Sequence, residues 1–381
     1  AAVPAWAAPS PDPSLGAPAN LAPAQLEMRR SLLEEAASKA RLRAALKRRV
    51  QALPPGVEAY DVLRYDLDLD LDPPLHQMAA TVLCRAVVVE GPLDAFVLQL
   101  TSDLAVTGAS VDGGGASFTH AGDVVTVDLG AARAVGDTVV VGVHYQGDPS
   151  GPAFGWSSYG GQPLIWTLSE PYGAPTWWPC KDTPDDKPDA VDLRVTVPDG
   201  LVVASNGTLV SSTLNAGRRT FHWRESYPIA TYLVSLAVHP YAVIQDEWVY
   251  APGDTMPVTH YVVPDQLAAA TNGFAVTVPM LEAFRDGFGP YPFVEEKYGH
   301  AHFPWGGGME HQTLTSLRYG AYGAWIIAHE LAHQWWGDMV TCQDFHHIWL
   351  NEGFASWSQA YWREKSEGTA GYRTEMDAMA Y

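Results

Sequence analysis

A chain of 381 residues, 47% of them hydrophobic, can bury a sizeable core and is long enough for two to three domains. Its net charge is −20, and the acid lies outside the N-terminus: residues 1–50 carry eight basic and four acidic side chains, residues 51–381 carry 15 and 39. Such a surface repels nucleic acid and anionic lipid and favours ligands with a positive amino group. No stretch supplies the run of about 18 uninterrupted apolar residues that a transmembrane segment needs, since His239 and Pro240 break the most apolar candidate, Thr231 to Ile244.

Residues 1–20 are rich in Pro and Ala and read as a flexible lead-in. The chain has no initiating Met, and AAVPAWAAPSPDPS resembles the tail left when an export signal is removed. A periplasmic or extracellular location is therefore expected, with the cytoplasm as the alternative. Cys84, Cys180 and Cys342 allow one disulfide at most, so no disulfide framework supports the fold.

Residues 21–56 form the next unit. Leu26, Leu32, Leu33, Ala36, Ala40, Ala44 and Leu46 recur near the helical period up to Pro54-Pro55, which predicts one amphipathic helix. Its basic face, with Arg41, Arg43, Lys47, Arg48 and Arg49, is read as docked on the acidic body, with a membrane or partner contact as the alternative. Over residues 57–243 the pattern changes to short alternating runs such as Tyr65-Asp66-Leu67-Asp68-Leu69-Asp70-Leu71. Gly113-Gly114-Gly115, Pro198-Asp199-Gly200 and Asn206-Gly207 punctuate them. That is an all-β domain. Residues 244–381 turn helical after Tyr250, with helices predicted over Gln266–Phe288, over Ala324–Trp336 with a stop at Gly337, and from about Asn351.

The second of these helices carries the chemistry. His329-Glu330-Leu331-Ala332-His333 is an H-E-x-x-H motif on a strongly apolar helix. Positions i and i+4 share a face one turn apart, so both imidazoles reach one zinc ion at about 2.0–2.1 Å. Glu330 projects beside the metal, where it takes a proton from water rather than binding the ion. A catalytic zinc needs a third protein ligand and an open position. Glu352 fits: eighteen residues separate it from His333, enough for a loop and a new helix packed against the first. His346, His347, His300 and His302 lack a partner at turn spacing and are read as surface or core residues.

HELAHQWWGD followed by WLNEGFA resembles the zinc aminopeptidase N-like family of gluzincin metallopeptidases. Gly307-Gly308-Met309-Glu310-His311 is similar to that family's G-x-M-E-N segment. Trp178-Pro179-Cys180-Lys181-Asp182-Thr183-Pro184 resembles the signature of its N-terminal domain, in the leukotriene-hydrolase and aminopeptidase B flavour. The resemblance spans roughly residues 57 to 381. It implies an α+β multidomain fold: an N-terminal all-β saddle-like domain, then a thermolysin-like, mainly helical zinc catalytic domain that is C-terminally truncated. It also implies one catalytic zinc and peptides with a free N-terminus as substrates. Glu310 and, by position, Glu170 would hold the α-amine, while the backbone of Gly307, Gly308 and Met309 lines the peptide.

Two departures from the family stand out. His311 takes the place of the usual Asn, and none of Tyr361, Tyr372 and Tyr381 has the spacing of the oxyanion-stabilising Tyr. The expected function is thus a zinc metallo-aminopeptidase with Glu330 as general base. The alternative is a catalytically impaired peptide- or partner-binding fragment, or half of a split enzyme whose second polypeptide supplies the missing C-terminal part.

Overall fold

The computed structural model describes residues 53–379; the expected lead-in over 1–20 and the predicted helix, as far as residue 52, lie outside the described residues. The leading strand, Tyr60–Asp72, shows how alternation selects the fold: Leu67, Leu69 and Leu71 are fully buried while Asp68 and Asp70 face water. Burying each leucine is worth about 1.5–3 kcal/mol, and a one-residue slip would exchange leucines for aspartates. Tyr60–Asp72 pairs antiparallel with Gln77–Val88 and parallel with Ala190–Pro198.

Those three strands lie within an eight-stranded sheet. Its order runs Thr208–Asn215, Arg218–Glu225, Ala190–Pro198, Tyr60–Asp72, Gln77–Val88, Thr138–Gly147, Ala105–Val111, Gly114–Ala116. A three-stranded sheet (Leu93–Gln99, Val124–Arg133, Phe118–Ala121) and a four-stranded sheet (Val202–Ser205, Leu236–His239, Gln162–Thr167, Phe154–Tyr159) complete the β part. One apolar core joins them, with Trp177 and Trp178 fully buried at its centre. Cys84, Cys180 and Cys342 are all free and buried.

The expected division at residues 243 and 244 would cut a strand. Ala242–Ala251 pairs with Asp254–Val262, and this hairpin opens a five-stranded sheet with Tyr298–Phe303, Thr315–Arg318 and Gly308–Met309. The hairpin's two strands alternate less regularly than the strands before them, so the sequence shows a loss of pattern where the structure keeps a sheet. The predicted helix over Gln266–Phe288 is two helices, Leu267–Phe274 and Thr277–Phe288. By length and composition the run Pro264–Phe288 could cross a membrane; here Phe274, Met280, Leu281 and Phe284 are buried in the second apolar core, together with Ile327 and Leu331.

His260, His300 and His302 are buried together in the five-stranded sheet. Nδ1 of His260 lies 2.9 Å from Nδ1 of His300, Phe274 stacks on both rings, and burial holds all three imidazoles neutral, those of His260 and His302 down at about 3. All three are core histidines; the sequence marks His300 and His302 as surface or core residues and does not single out His260. The last helices are Trp349–Glu367 and Thr369–Met379. Trp349, 64% exposed, continues into Leu350, Phe354 and Trp357 as an exposed apolar stripe.

Asp182, in the loop after the buried tryptophans, makes stability depend on pH. Its Oδ1 accepts a 2.6 Å bond from the Thr231 hydroxyl, but burial pushes its pKa up to about 7. The folded chain therefore keeps a proton that the unfolded chain releases near pH 4. Its contribution is present below that pH and is lost as pH rises through about 7. Asp182→Asn is expected to flatten the fall of melting temperature between pH 4 and 8, by up to about 4 kcal/mol of stability at the upper end. Parallel melting curves of the two proteins across that range check it.

Candidate metal centre

Helix Ala324–Ala332 follows Gly323, whose extended backbone leads into it, and Ile326, Ile327 and Leu331 fix it by burying its apolar face. Regular helix stops four residues before the predicted end at Trp336. The amides of Trp335 and Trp336 both donate to the Ala332 carbonyl at 3.1 Å, and Gly337 then turns the chain at φ 142°. The tightened turn lets Nδ1 of His333 meet the Trp336 carbonyl at 3.0 Å. Only glycine suits position 337: a Cβ there would lie 3.2 Å from Nδ1 of His333 and 3.3 Å from Nδ2 of Asn351.

His329 and His333 face each other across this turn with their Nε2 atoms 3.1 Å apart. Glu352 enters from the first turn of helix Trp349–Glu367, its Oε2 3.3 Å from Nε2 of His329 and 3.8 Å from Nε2 of His333. All three ligand atoms lie within 4.8 Å of one another, the one group of at least three His, Cys, Asp or Glu among the described residues that could hold a metal ion. A tetrahedral site with bonds near 2.1 Å places its ligand atoms about 3.4 Å apart. The three separations straddle that value, and the Glu352 side chain remains 27% exposed.

Hydrogen bonds behind the imidazoles decide which nitrogen is presented. His333 donates Nδ1–H to the Trp336 carbonyl, which leaves its Nε2 lone pair for a cation. Behind His329 stands Nε2 of the Gln359 amide, 2.9 Å from Nδ1 and seven residues past Glu352 on the same helix. Exchange of the two amide atoms by a flip of the side chain puts Oε1 on Nδ1–H instead, and His329 then also presents a bare Nε2. Gln359 carries no motif of its own; its one signal in the sequence is its place two turns beyond Glu352.

Glu330 is fully buried on the same helix. Strand Gly308–Met309 runs beside it so closely that a Cβ on Gly308 would collide with the Glu330 carboxylate. Gly307, at φ 102°, turns the chain into that strand, and Glu310, also fully buried, follows it. Glu170, 2% exposed, comes from the β part. Glu310 and Glu170 act on the same two groups. After burial itself, both carboxylates help push the Tyr232 hydroxyl well above its ordinary pKa and the Cys342 thiol up to about 11.

Several contributors carry no sequence signal. Tyr232 belongs to the β part, and its hydroxyl lies 3.5 Å from Nδ2 of Asn351. Lys187, also from the β part, donates to the carbonyls of Asp338 at 2.6 Å and Met339 at 3.2 Å and so holds the turn after His333. Burial pushes this lysine down to about 8. His311 meets the Ser316 hydroxyl at 2.9 Å, and burial takes it down to about 3, so a neutral ring stands beside Glu310. His346 and His347 lie on the surface beside Asp344. The Tyr361 hydroxyl donates to the Ala283 carbonyl at 3.4 Å, and its ring stacks on Trp357.

Comparison with known proteins meets the same two parts of the chain. Residues 63–233 match the Peptidase M1 N-terminal domain and residues 277–380 match the Peptidase family M1 domain. Aminopeptidase M1-B of Oryza sativa subsp. japonica is 33% identical over 198 residues, which is 47% of this chain and 22% of that protein. This chain thus matches less than a quarter of the length of that relative. A solved two-domain M1 zinc metallopeptidase mutant bound to L-tryptophan superposes with a TM-score of 0.76 at 30% identity, covering 85% of this chain and 76% of that one. An M1 zinc metallopeptidase mutant from Deinococcus radiodurans, bound to a Tyr-Ser-Ala substrate, superposes with a TM-score of 0.72 at 29% identity over 84% of this chain and 74% of that one.

Proposed function

Because the chain belongs to peptidase family M1, we propose that it is the metal-binding and amine-recognising part of a zinc aminopeptidase, releasing the N-terminal residue of a peptide. The observation that carries this reading is the convergence of His329, His333 and Glu352 beside a buried Glu330. His329, His333 and Glu352 would hold the ion. Zinc bound there supplies Lewis-acid polarisation of the peptide carbonyl and lowers the pKa of a water toward neutrality.

The remaining work falls to side chains of this chain. Glu330 takes the proton from the attacking water and delivers it to the leaving amine. Glu310 and Glu170 bind the substrate's α-ammonium and so place the first peptide bond at the metal. An internal peptide segment offers no such charge to these two carboxylates, which selects chain ends. The backbone of Gly307, Gly308 and Met309 runs beside Glu330, where a bound peptide would be aligned.

A second reading is binding of peptide with little turnover: Tyr361 lacks the spacing of the oxyanion-stabilising Tyr, and its hydroxyl is turned to the Ala283 carbonyl. Loss of one oxyanion donor commonly costs about 10²–10³ in rate. The test incubates the zinc-loaded chain with L-alanyl-p-nitroanilide and its N-acetyl derivative. Hydrolysis of the free-amine compound alone is the expected result, and peptide binding without hydrolysis selects the second reading. Equal cleavage of the N-acetyl compound would overturn the aminopeptidase assignment.

A further inference from the structure

Three residues beyond Glu310 the backbone does something unfavourable. Thr313 sits at φ 63°, in the left-handed region, where a β-branched residue is rare because its Cβ crowds the backbone. It is the third residue of a turn closed by the Leu314 amide on the His311 carbonyl at 3.0 Å, a position usually filled by glycine or asparagine. Backbone strain of this kind persists only when the surroundings over-determine it.

Here they do. The Thr313 hydroxyl accepts from the Gly207 amide at 2.7 Å and from Nζ of Lys297 at 3.3 Å, and donates to Oε2 of Glu225 at 3.3 Å. Its one proton and both lone pairs are therefore used. Its amide donates to Oε1 of Gln334 at 2.8 Å, and its carbonyl accepts from Lys297 at 3.2 Å. Next to it, Asn206 donates to the Gln312 carbonyl at 2.6 Å. Asn206, Gly207 and Glu225 belong to the β part; Gln334 directly follows the metal-facing His333. Met309 and Leu314, at either end of the segment, are buried in the core of the β part.

We propose that Thr313 is a positioning residue for amine recognition, its hydroxyl locking the 310–313 turn between the Asn206–Gly207 turn of the β part and Gln334 of the metal helix so that Glu310 is held at a set place relative to His329 and His333. This rests on the reading of Glu310 as an amine ligand. Thr313 touches no substrate. It fixes Glu310 through the turn that Thr313 completes, and a shift of about 1 Å in such a group can cost up to roughly 10²-fold.

The test measures binding of Ala-Ala-Ala-amide and of its N-acetyl form to the zinc-loaded full chain by calorimetry, with zinc content and melting temperature recorded. Wild type is expected to favour the free amine. Thr313→Val keeps the shape and branching but lacks the hydroxyl. It should weaken free-amine binding by about tenfold or more and leave N-acetyl binding and one equivalent of zinc unchanged. Thr313→Ser, which keeps the hydroxyl, should restore the preference to within about twofold. A simple loss of packing would weaken both peptides alike and would not be rescued by serine. If Thr313→Val does not fold, Thr313→Gly, which relieves the backbone strain while removing the hydroxyl, is judged by the same criterion. A folded, zinc-loaded variant without the hydroxyl that keeps the full free-amine preference overturns the proposal. A wild type with no preference at all overturns instead the reading of Glu310 and Glu170, and the proposal falls with it.

Discussion

Glu330→Gln is expected to lower hydrolysis of L-alanyl-p-nitroanilide by about 10²–10⁴-fold, the range a positioned general base contributes, while zinc stays at one equivalent. The amide keeps the volume of the carboxylate, so the close packing of Gly308 on this side chain survives. What it loses is the capacity to accept a proton. Glu330 lies on the same turn as the imidazoles yet outside the group of converging ligand atoms, which is why metal content should not change. Substrate binding should be nearly unchanged too, because Glu310 and Glu170 are untouched, so the loss appears in kcat with KM held within a few-fold. Retention of more than about a tenth of the wild-type rate would show that another group moves the proton.

Removal of Glu352 acts on the metal instead. Glu352→Ala leaves two imidazoles one turn apart, and bound zinc after dialysis is expected to fall well below one equivalent, with activity falling in proportion to the metal lost. The substitution is mild for the fold, since the side chain is partly exposed at the start of a 19-residue helix anchored by Asn351, Ala355, Ser358 and Gln359. A helix start favours an acidic side chain by about 0.3–1 kcal/mol, so melting temperature should drop little. Full zinc retention by elemental analysis would mean that the third ligand is another group. The two variants separate the roles: one keeps metal and loses rate, the other loses metal first.

Much of the candidate centre was legible because its chemistry is local. His329, Glu330 and His333 share a single helical turn, and helix periodicity alone puts two of them on one face. Glu352 was reachable by coordination arithmetic, because a third ligand was required and an acidic residue opened the next predicted helix. The alternating run from Tyr65 to Leu71 likewise declared a half-buried strand. Helix ends were less legible: the predicted stop at Gly337 is where the chain turns, but the amides of Trp335 and Trp336 share the Ala332 carbonyl and draw the last residues before it out of regular helix.

What remained hidden depends on contacts between residues far apart in the chain. Nothing near Asn206-Gly207 distinguishes it from an ordinary turn, yet it meets Gln312 and Thr313 across more than a hundred residues. No motif singles out Lys187, whose ammonium lies on the Asp338 carbonyl 151 residues away. The five-stranded sheet was missed because two of its pairings are parallel, Asp254–Val262 with Tyr298–Phe303 and that strand with Thr315–Arg318, and parallel partners leave no hairpin signal.

By itself, then, the sequence marked the candidate ligands, the helix that carries two of them and the β-then-helix order of the chain, because spacing within one element is dictated by backbone geometry. The tertiary structure alone decided where Glu310 and Glu170 stand, which carbonyl and which amide orient the two imidazoles, and what holds Thr313 in a backbone conformation it would not choose. Those are distances between elements, and they are set by how separate apolar faces pack together, a property that no local pattern of residues encodes.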